Sequence, residues 1–280
     1  MDKVITSPIR YPGGKRWLFK TLSAYIPKVN EMVSPFFGGG AIELNLSARG
    51  VKVYGYDICP YLTNFWQHYI PHQHTLQKDA EALLERYTYE QIKQKKQRFL
   101  KGADSGYMSA VWYYLFNKLA LQGMVFEGYV IPFEKCVDGW RRAVPDYRKA
   151  FPEFDTQREY ALSVSQSSYE VSLAKHSDIL AYLDPPYVNT ENIYKDGAGF
   201  DHYQLSEILH TRNNWILSYS DSDLIRNLYN GHRMLSLVNT SGFRKAGKNK
   251  KQHELLIFSH DIAEQIAEAE RLQPKQLYLF

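Results

Sequence analysis

The chain has 280 residues, 44% of them hydrophobic and 23% charged, with a formal net charge of +4. At roughly 100–200 residues per domain this allows two domains, or one with a large insertion, and the composition excludes a mainly disordered chain. Two cysteines, Cys59 and Cys136, exclude a disulfide framework and a four-ligand zinc site, and the lack of ~18 consecutive apolar residues excludes a membrane-spanning helix.

From the amino end, MDKVITSPIRYPGGK contains no apolar signal segment, so a cytoplasmic protein is expected. A helix is predicted over Arg16–Ile26 and a buried strand over Met32–Pro35. Pro35-Phe36-Phe37-Gly38-Gly39-Gly40-Ala41 then turns from strand into a helix, Ala41–Ala48, and its glycines let the backbone approach a ligand closely. It is not a phosphate loop, because no G-x-x-x-x-G-K-[ST] pattern is present. The next strand, Val51–Asp57, ends on an acid 17 residues after Gly40. An acid so placed accepts from the ribose hydroxyls of a nucleoside cofactor, or else caps the helix predicted over Leu62–Tyr69.

Residues 61–155 break this rhythm. Helices are predicted over Thr75–Arg86, Tyr89–Leu100 and Tyr107–Leu121, followed by GMVFEGYVIPFEKC. There Glu127-Gly128, between Met124–Phe126 and Tyr129–Phe133, reads as the turn of a β-hairpin. The alternation resumes with strands Tyr160–Val164, Ile179–Asp184, Trp215–Ser220, Arg233–Val238 and His253–Ser259, helices Tyr203–Thr211 and Ser222–Leu228, and a last helix, Asp261–Leu272. This pattern predicts an α/β fold, a doubly wound Rossmann-like sheet carrying an inserted, mainly helical second domain. The expected organisation is a discontinuous catalytic domain, 1–60 and 156–272, an insertion over 61–155, and a tail over 273–280.

Asp184-Pro185-Pro186-Tyr187 follows a predicted buried strand directly, which puts it at the ligand crevice of such a sheet. The prolines remove two backbone donors and leave carbonyls facing the site. An Asp carboxylate and a carbonyl that both accept from the exocyclic amine of adenine pull its hydrogens out of the ring plane and localise a lone pair able to attack a methyl group. Tyr187 offers a ring for that base to stack on, in a chain with 15% aromatic residues. From Leu224 to His253 no Asp or Glu occurs, while Arg226, Arg233, Arg244, Lys245, Lys248, Lys250 and Lys251 all do. Such a segment attracts a polyanion, or is simply a solvated basic loop.

Together these residues resemble the Dam-type (alpha-class) DNA adenine-N6 methyltransferases over nearly the whole chain. Tyr11-Pro12-Gly13-Gly14-Lys15 is similar to the family's aromatic-x-Gly-Gly-Lys motif, residues 35–40 to its cofactor loop, and Asp57 to its ribose-binding acid. Leu115-Phe116-Asn117-Lys118, Gln122-Gly123 and Ile131-Pro132-Phe133 resemble its recognition-domain pattern, Asp184–Tyr187 its catalytic tetrapeptide, and Lys250-Lys251 with Glu254-Leu255-Leu256 its basic loop and closing strand. The resemblance implies S-adenosylmethionine held by Tyr11, Lys15, Phe36, Gly38, Gly40, Asp57 and Asp184. It implies catalysis by Asp184, Pro185 and Tyr187, no metal, and residues 61–155 as the target recognition domain. It implies a flipped-out adenine in double-stranded DNA as substrate. The DNA contacts are expected from Asn117, Lys118, Leu121, Gln122, Met124, Phe126, Arg244, Lys245, Lys248, Lys250 and Lys251. The host is then a bacterial cell, or a phage-infected one, with a cognate restriction endonuclease as a further candidate partner.

The ending Gln276-Leu277-Tyr278-Leu279-Phe280 is similar to peptides that dock bacterial DNA enzymes on the sliding clamp, with Gln276, Leu277, Leu279 and Phe280 as contacts; the other reading is a final strand packed on the protein itself. Transfer to RNA or to protein glutamine, and a non-catalytic DNA-binding protein, are the competing functions. Glutamine enzymes usually carry Asn where Asp184 stands, and a non-catalytic protein is expected to have lost the tetrapeptide or the ribose acid.

Overall fold

Runs of apolar residues covered on both faces build the centre of the molecule. The computed structural model of the chain describes residues 4–102, 105–120, 123–126, 130, 161–188, 199–239, 244–245, 248–249 and 252–272. Its strands are β1 (Glu31–Ser34), β2 (Lys52–Asp57), β3 (Leu162–Gln166), β4 (Leu180–Leu183), β5 (Trp215–Ser220), β6 (Arg233–Asn239), β7 (Arg244–Lys245), β8 (Lys248–Asn249) and β9 (Gln252–Phe258). Seven of them form one sheet in the order β3-β2-β1-β4-β5-β9-β6, and β7 and β8 pair as a separate antiparallel ribbon. β1 to β5 run parallel, whereas β9 is antiparallel to both β5 and β6.

Side chains alternate between two cores, as the period-two pleat requires. Leu180, Tyr182, Ile216, Leu256 and Phe258 join Met32 and Val53 under α1 (Phe19–Leu22), α2 (Ala41–Ser47) and α10 (His260–Leu272). Ala181, Leu183, Leu217, Leu255 and Ile257 join Val33 under α7 (Tyr169–Lys175), α8 (His202–His210) and α9 (Asp223–Leu228). A third core is largely helical, made by α3 (Pro60–Tyr69), α4 (Gln73–Arg86), α5 (Tyr89–Phe99) and α6 (Tyr107–Leu119). It also takes in Phe37 and Val164, so this helical layer is continuous with the sheet. α3 begins at Pro60, so the expected domain boundary at residue 61 falls inside its first turn.

The strand–helix alternation read from the sequence is present, with three corrections. The helix expected over Arg16–Ile26 is reduced to the four residues of α1 with turns on both sides. α7 follows the serine-rich run Ser165–Ser168, where no helix was expected, because the short segment Tyr169–Lys175 buries only Ser172 and Leu173. Val125 and Phe126 lie in a turn instead of a strand. The rest of the expected hairpin, Leu121, Gln122, Lys250, Lys251 and the tail 273–280 lie outside the described residues. No helix among the described residues is long and apolar enough to cross a membrane.

Two buried asparagines hold the amino-terminal segment without any regular structure. Asn45 of α2 accepts from the Ile5 N–H at 2.7 Å and donates to the Ile5 carbonyl at 2.9 Å. Asn117 of α6 does the same for Arg10, at 3.0 and 2.8 Å, and donates to the Gly123 carbonyl at 3.0 Å. Each side-chain amide thus imitates a strand neighbour. Asn117→Ala leaves three backbone groups without these partners at a fully buried position. Urea denaturation should show a loss of about 2–3 kcal/mol; an unchanged midpoint would mean that water replaces the amide freely.

Candidate active site

β1 sits between β2 and β4, so the strand order reverses there and opens a crevice at the carboxyl edge of the sheet. Three segments end at that edge: residues 35–40 after β1, Asp57 closing β2, and Asp184–Tyr187 after β4. Residues 35–40, Asp57, Asp184 and Pro186 line one cavity of about 220 Å³ together with Tyr11, Lys15, Tyr169 and Phe200.

The glycine loop is shaped by contact. Gly38 has φ +49° and Gly40 φ +64°, values that side chains rarely adopt. A Cβ on Gly38 would meet the Tyr11 ring at 2.9 Å, and one on Gly40 would meet the Phe37 ring at 2.8 Å. Asp57 ties the loop down: one carboxylate oxygen accepts from the Gly38 N–H at 2.9 Å, and the other from the Cys59 N–H at 3.0 Å. The N-cap of α3 is Cys59, so Asp57 is not the helix cap that its position also allowed. Trp66 of α3 donates its indole N–H to the Gly38 carbonyl at 3.0 Å. Phe36 stacks on Tyr169 at 5.5 Å and meets Phe200 edge-on at 5.6 Å, giving the cavity an aromatic wall.

Lys15 carries its ammonium into the interior at 5% exposure. Its Nζ lies 2.9 Å from Asp184 Oδ1, 3.6 Å from Glu254 Oε1, 2.8 Å from the Gly13 carbonyl and 4.6 Å from the centre of the Tyr187 ring. The Tyr187 hydroxyl donates to Asp184 at 3.1 Å and is also hydrogen-bonded to Glu254. Burial raises the Asp184 carboxyl above its ordinary value, against the opposing pull of the Lys15 ammonium and the Tyr187 hydroxyl. Burial, opposed by Lys15 and reinforced by the Asp184 charge, pushes Glu254 up to about 7. A second buried acid, Glu43 of α2, is also raised to about 7 by burial, against a hydrogen bond from the Ser34 hydroxyl at 2.7 Å.

Every residue expected around a nucleoside cofactor therefore borders one cavity: Tyr11, Lys15, Phe36, Gly38, Gly40, Asp57 and Asp184. Pro185 is buried and Tyr187 is half-buried beside Lys15, and neither lines that cavity. The residues expected to touch DNA are scattered. Asn117 is fully buried, and Lys118 is half-buried with its ammonium donating to the Pro8 carbonyl and pushed down to about 7 by burial, so both brace the amino-terminal segment. Met124 and Phe126 border the cavity, with Phe126 against Tyr61. Arg244, Lys245 and Lys248 lie on the β7–β8 ribbon between β6 and β9. Sequence reasoning missed Glu254, Glu43, Tyr169 and Phe200 as site residues. Glu254 had a usable signal, being the first acid after Asp223 and opening an apolar strand; Glu43 had one in standing between Ile42 and Leu44 on a short apolar helix. Among the described residues no group of three His, Cys, Asp or Glu could hold a metal ion.

Residues 11–244 match the family described as D12 class N6 adenine-specific DNA methyltransferase. DNA adenine methylases from two strains of Vibrio cholerae serotype O1 are each 24% identical over 290 aligned positions, covering 92% of this chain and 97% of theirs.

The buried acids make stability depend on pH. Glu43 has a folded-state value of about 7 against an ordinary 4.5, so the folded protein binds more protons between those values. Stability contributed there is present at low pH, falls as pH rises from about 4.5 to about 7, and is level above, a change of about 3 kcal/mol. Glu43→Gln keeps an acceptor for Ser34 but removes that titration. In calorimetry the variant should lose less stability than the parent between about pH 5 and about pH 8; parallel slopes would refute the burial argument.

Proposed function

The chain belongs to the D12 class N6 adenine-specific DNA methyltransferases, and we propose that it transfers the methyl group of S-adenosylmethionine to the N6 amine of an adenine flipped out of duplex DNA. Adenine methylation of DNA follows from the family, and a methyl donor follows from the reaction. The identity of the donor is supported by the site itself. The Gly38–Gly40 cradle is closed to any Cβ, the Asp57 carboxylate stands at its rim, and one cavity links Asp57 to Asp184. That last observation carries the reading, since a nucleoside-bound donor must span from a ribose acid to the reacting amine.

Phe36, Tyr11, Lys15 and the two glycines would hold the cofactor, with Asp57 accepting from its ribose. S-adenosylmethionine, when bound, supplies a methyl carbon made electrophilic by a sulfonium. The chain does the rest by placement and by acceptors aimed at the amine. Asp184 and the Pro185 carbonyl accept from N6 and localise its lone pair, while the Tyr187 ring supports the base. Extruding that base costs a few kcal/mol of stacking and pairing. Arg244, Lys245, Lys248, Lys250 and Lys251 offset this through phosphate contacts, and Leu121, Gln122, Met124 or Phe126 fills the vacated stack. The tail peptide Gln276–Phe280 is the proposed contact to the sliding clamp, an apolar segment entering a preformed groove.

Tritiated methyl transfer tests the reading. Duplex DNA should be labelled at adenine N6, and Asp184→Ala should lose at least about 100-fold in rate while calorimetry still detects cofactor binding. Label in RNA or protein instead, or full activity in the variant, would overturn it. Deleting Gln276–Phe280 should leave methylation of short oligonucleotides unchanged and abolish clamp binding; retained clamp binding would remove that assignment.

A further inference from the structure

We infer that Glu254 is a positioning residue for proton transfer, receiving through the Tyr187 hydroxyl the proton that the amine releases to Asp184. The inference rests on the methyl-transfer reading above and extends it to the fate of that proton.

Three observations carry it. The Tyr187 hydroxyl is hydrogen-bonded to both carboxyls, 3.1 Å from Asp184 Oδ1 and in contact with Glu254 Oε1, so it bridges them. One ammonium, Lys15, serves both, at 2.9 Å from Asp184 and 3.6 Å from Glu254. Glu254 is 6% exposed, so its carboxyl depends on these groups for stabilisation. Anchoring Tyr187 would need only a neutral acceptor such as an amide. An ionisable acid buried there, beside a second carboxylate and sharing one ammonium with it, costs more than that amide would and is able to take up a proton.

The step balances as follows. The N6 lone pair forms the N–C bond while the C–S bond breaks and its electron pair goes to sulfur, leaving a neutral thioether. The nitrogen, now positively charged, releases one proton to Asp184. Asp184 passes a proton to the Tyr187 oxygen as Tyr187 gives its own to Glu254. The carboxylate of Asp184 is restored, Tyr187 is unchanged, and one proton has moved from N6 to Glu254. Before the step two carboxylates share the Lys15 charge; afterwards Asp184 alone pairs with it. The removal of a like charge beside Asp184 favours the transfer.

Glu254 must be ionised to accept, so the rate should rise with pH through about 7, where burial places its carboxyl. Facing it are Lys15 from the amino-terminal segment and Asp184, Tyr187 and Tyr182 from β4 and its loop, with Glu43 of α2 acting on the same Asp184 and Tyr182. His253 precedes it on β9; its strand partners, Ser220 on β5 and Leu237 on β6, do not titrate. Glu43, raised to about 7 as well, and Asp184, whose carboxyl burial also raises, are the competing sources of any such profile.

The test uses single-turnover methylation of an oligonucleotide duplex across pH, together with an infrared titration of the protein without cofactor or DNA. The parent chain should show a rate rising to a plateau through about pH 7. Glu254→Gln should lack the rise and run about 100-fold slower at the plateau. Glu43→Gln should keep the rise. The infrared spectrum should contain two protonated-carboxyl components that disappear through about pH 7, one lost in Glu254→Gln and the other in Glu43→Gln. An active parent with no neutral limb, a limb that survives in Glu254→Gln, or a limb lost only in Glu43→Gln overturns the inference and leaves the functional reading intact. An inactive parent overturns both. If Glu254→Gln does not fold, the parent's infrared titration compared with Glu43→Gln still decides: every titrating carboxyl band vanishing in Glu43→Gln would overturn the inference.

Discussion

The ammonium of Lys15 is the charge around which the candidate site is arranged. A buried cation costs several kcal/mol in lost hydration and persists only where its partners are well placed. Here Asp184, Glu254, the Gly13 carbonyl and the face of Tyr187 all lie within reach of one nitrogen. The dependence is mutual. Without that cation Asp184 and Glu254 would bury two like charges on either side of one hydroxyl, and the Coulomb term between them would drive one to protonate or the loop to move. The tetrapeptide Asp184–Tyr187 therefore relies on a residue far from it in sequence, on a segment with almost no regular structure of its own.

That segment needs external support, and the folded chain supplies it from two directions. Asn45 grips it from a helix of the sheet and Asn117 from a helix of the helical layer, while the Tyr11 ring lies against the backbone of the glycine loop. The loop is in turn held by Asp57 from β2 and by Trp66 from α3. Glycine loop, amino-terminal segment and helical layer thus share hydrogen bonds and one hydrophobic core. A displacement of α3 or α6 would be felt at Gly38 and Arg10 directly, because the side chains that connect them are buried and leave little free volume to absorb it.

Much of this was legible in the sequence because the signals are local. Short β-branched or aromatic apolar runs ending in turn residues marked the strands, glycines marked the close turn after β1, and the tetrapeptide marked the crevice edge after β4. Asp57 was legible as an acid at a strand end, but its bonds to Gly38 and Cys59 were not, since they depend on a loop closing back over β2. Asn117 and Lys118 were read as polar groups facing DNA. Their helix is apolar almost all round, and a polar residue on such a helix is buried with partners more readily than exposed, so they serve as internal braces. α1 fell short of its expected length because the chain on either side turns early to deliver Lys15 and to enter β1.

The placement of Glu254 shows most directly why part of the site stayed hidden. In a wholly parallel sheet the first residues of the strand beside β5 would lie at the edge opposite the crevice. β9 runs the other way, so its early residues pair with the end of β5, and Glu254 faces Ser220 there. Reversal of one strand carries an acid from the start of an apolar run to the edge where Asp184 leaves β4. Nothing within QHELLIF encodes that direction, since an apolar run buried on both faces reads the same both ways. The direction is set by the connection from β6, which passes through the basic β7–β8 ribbon before entering β9. The same reversal therefore sets two things at once: an acid beneath Tyr187 and a cationic ribbon leading into the strand that carries it. This coupling gives a physical reason for the basic run and the acid to be separated by only a few residues.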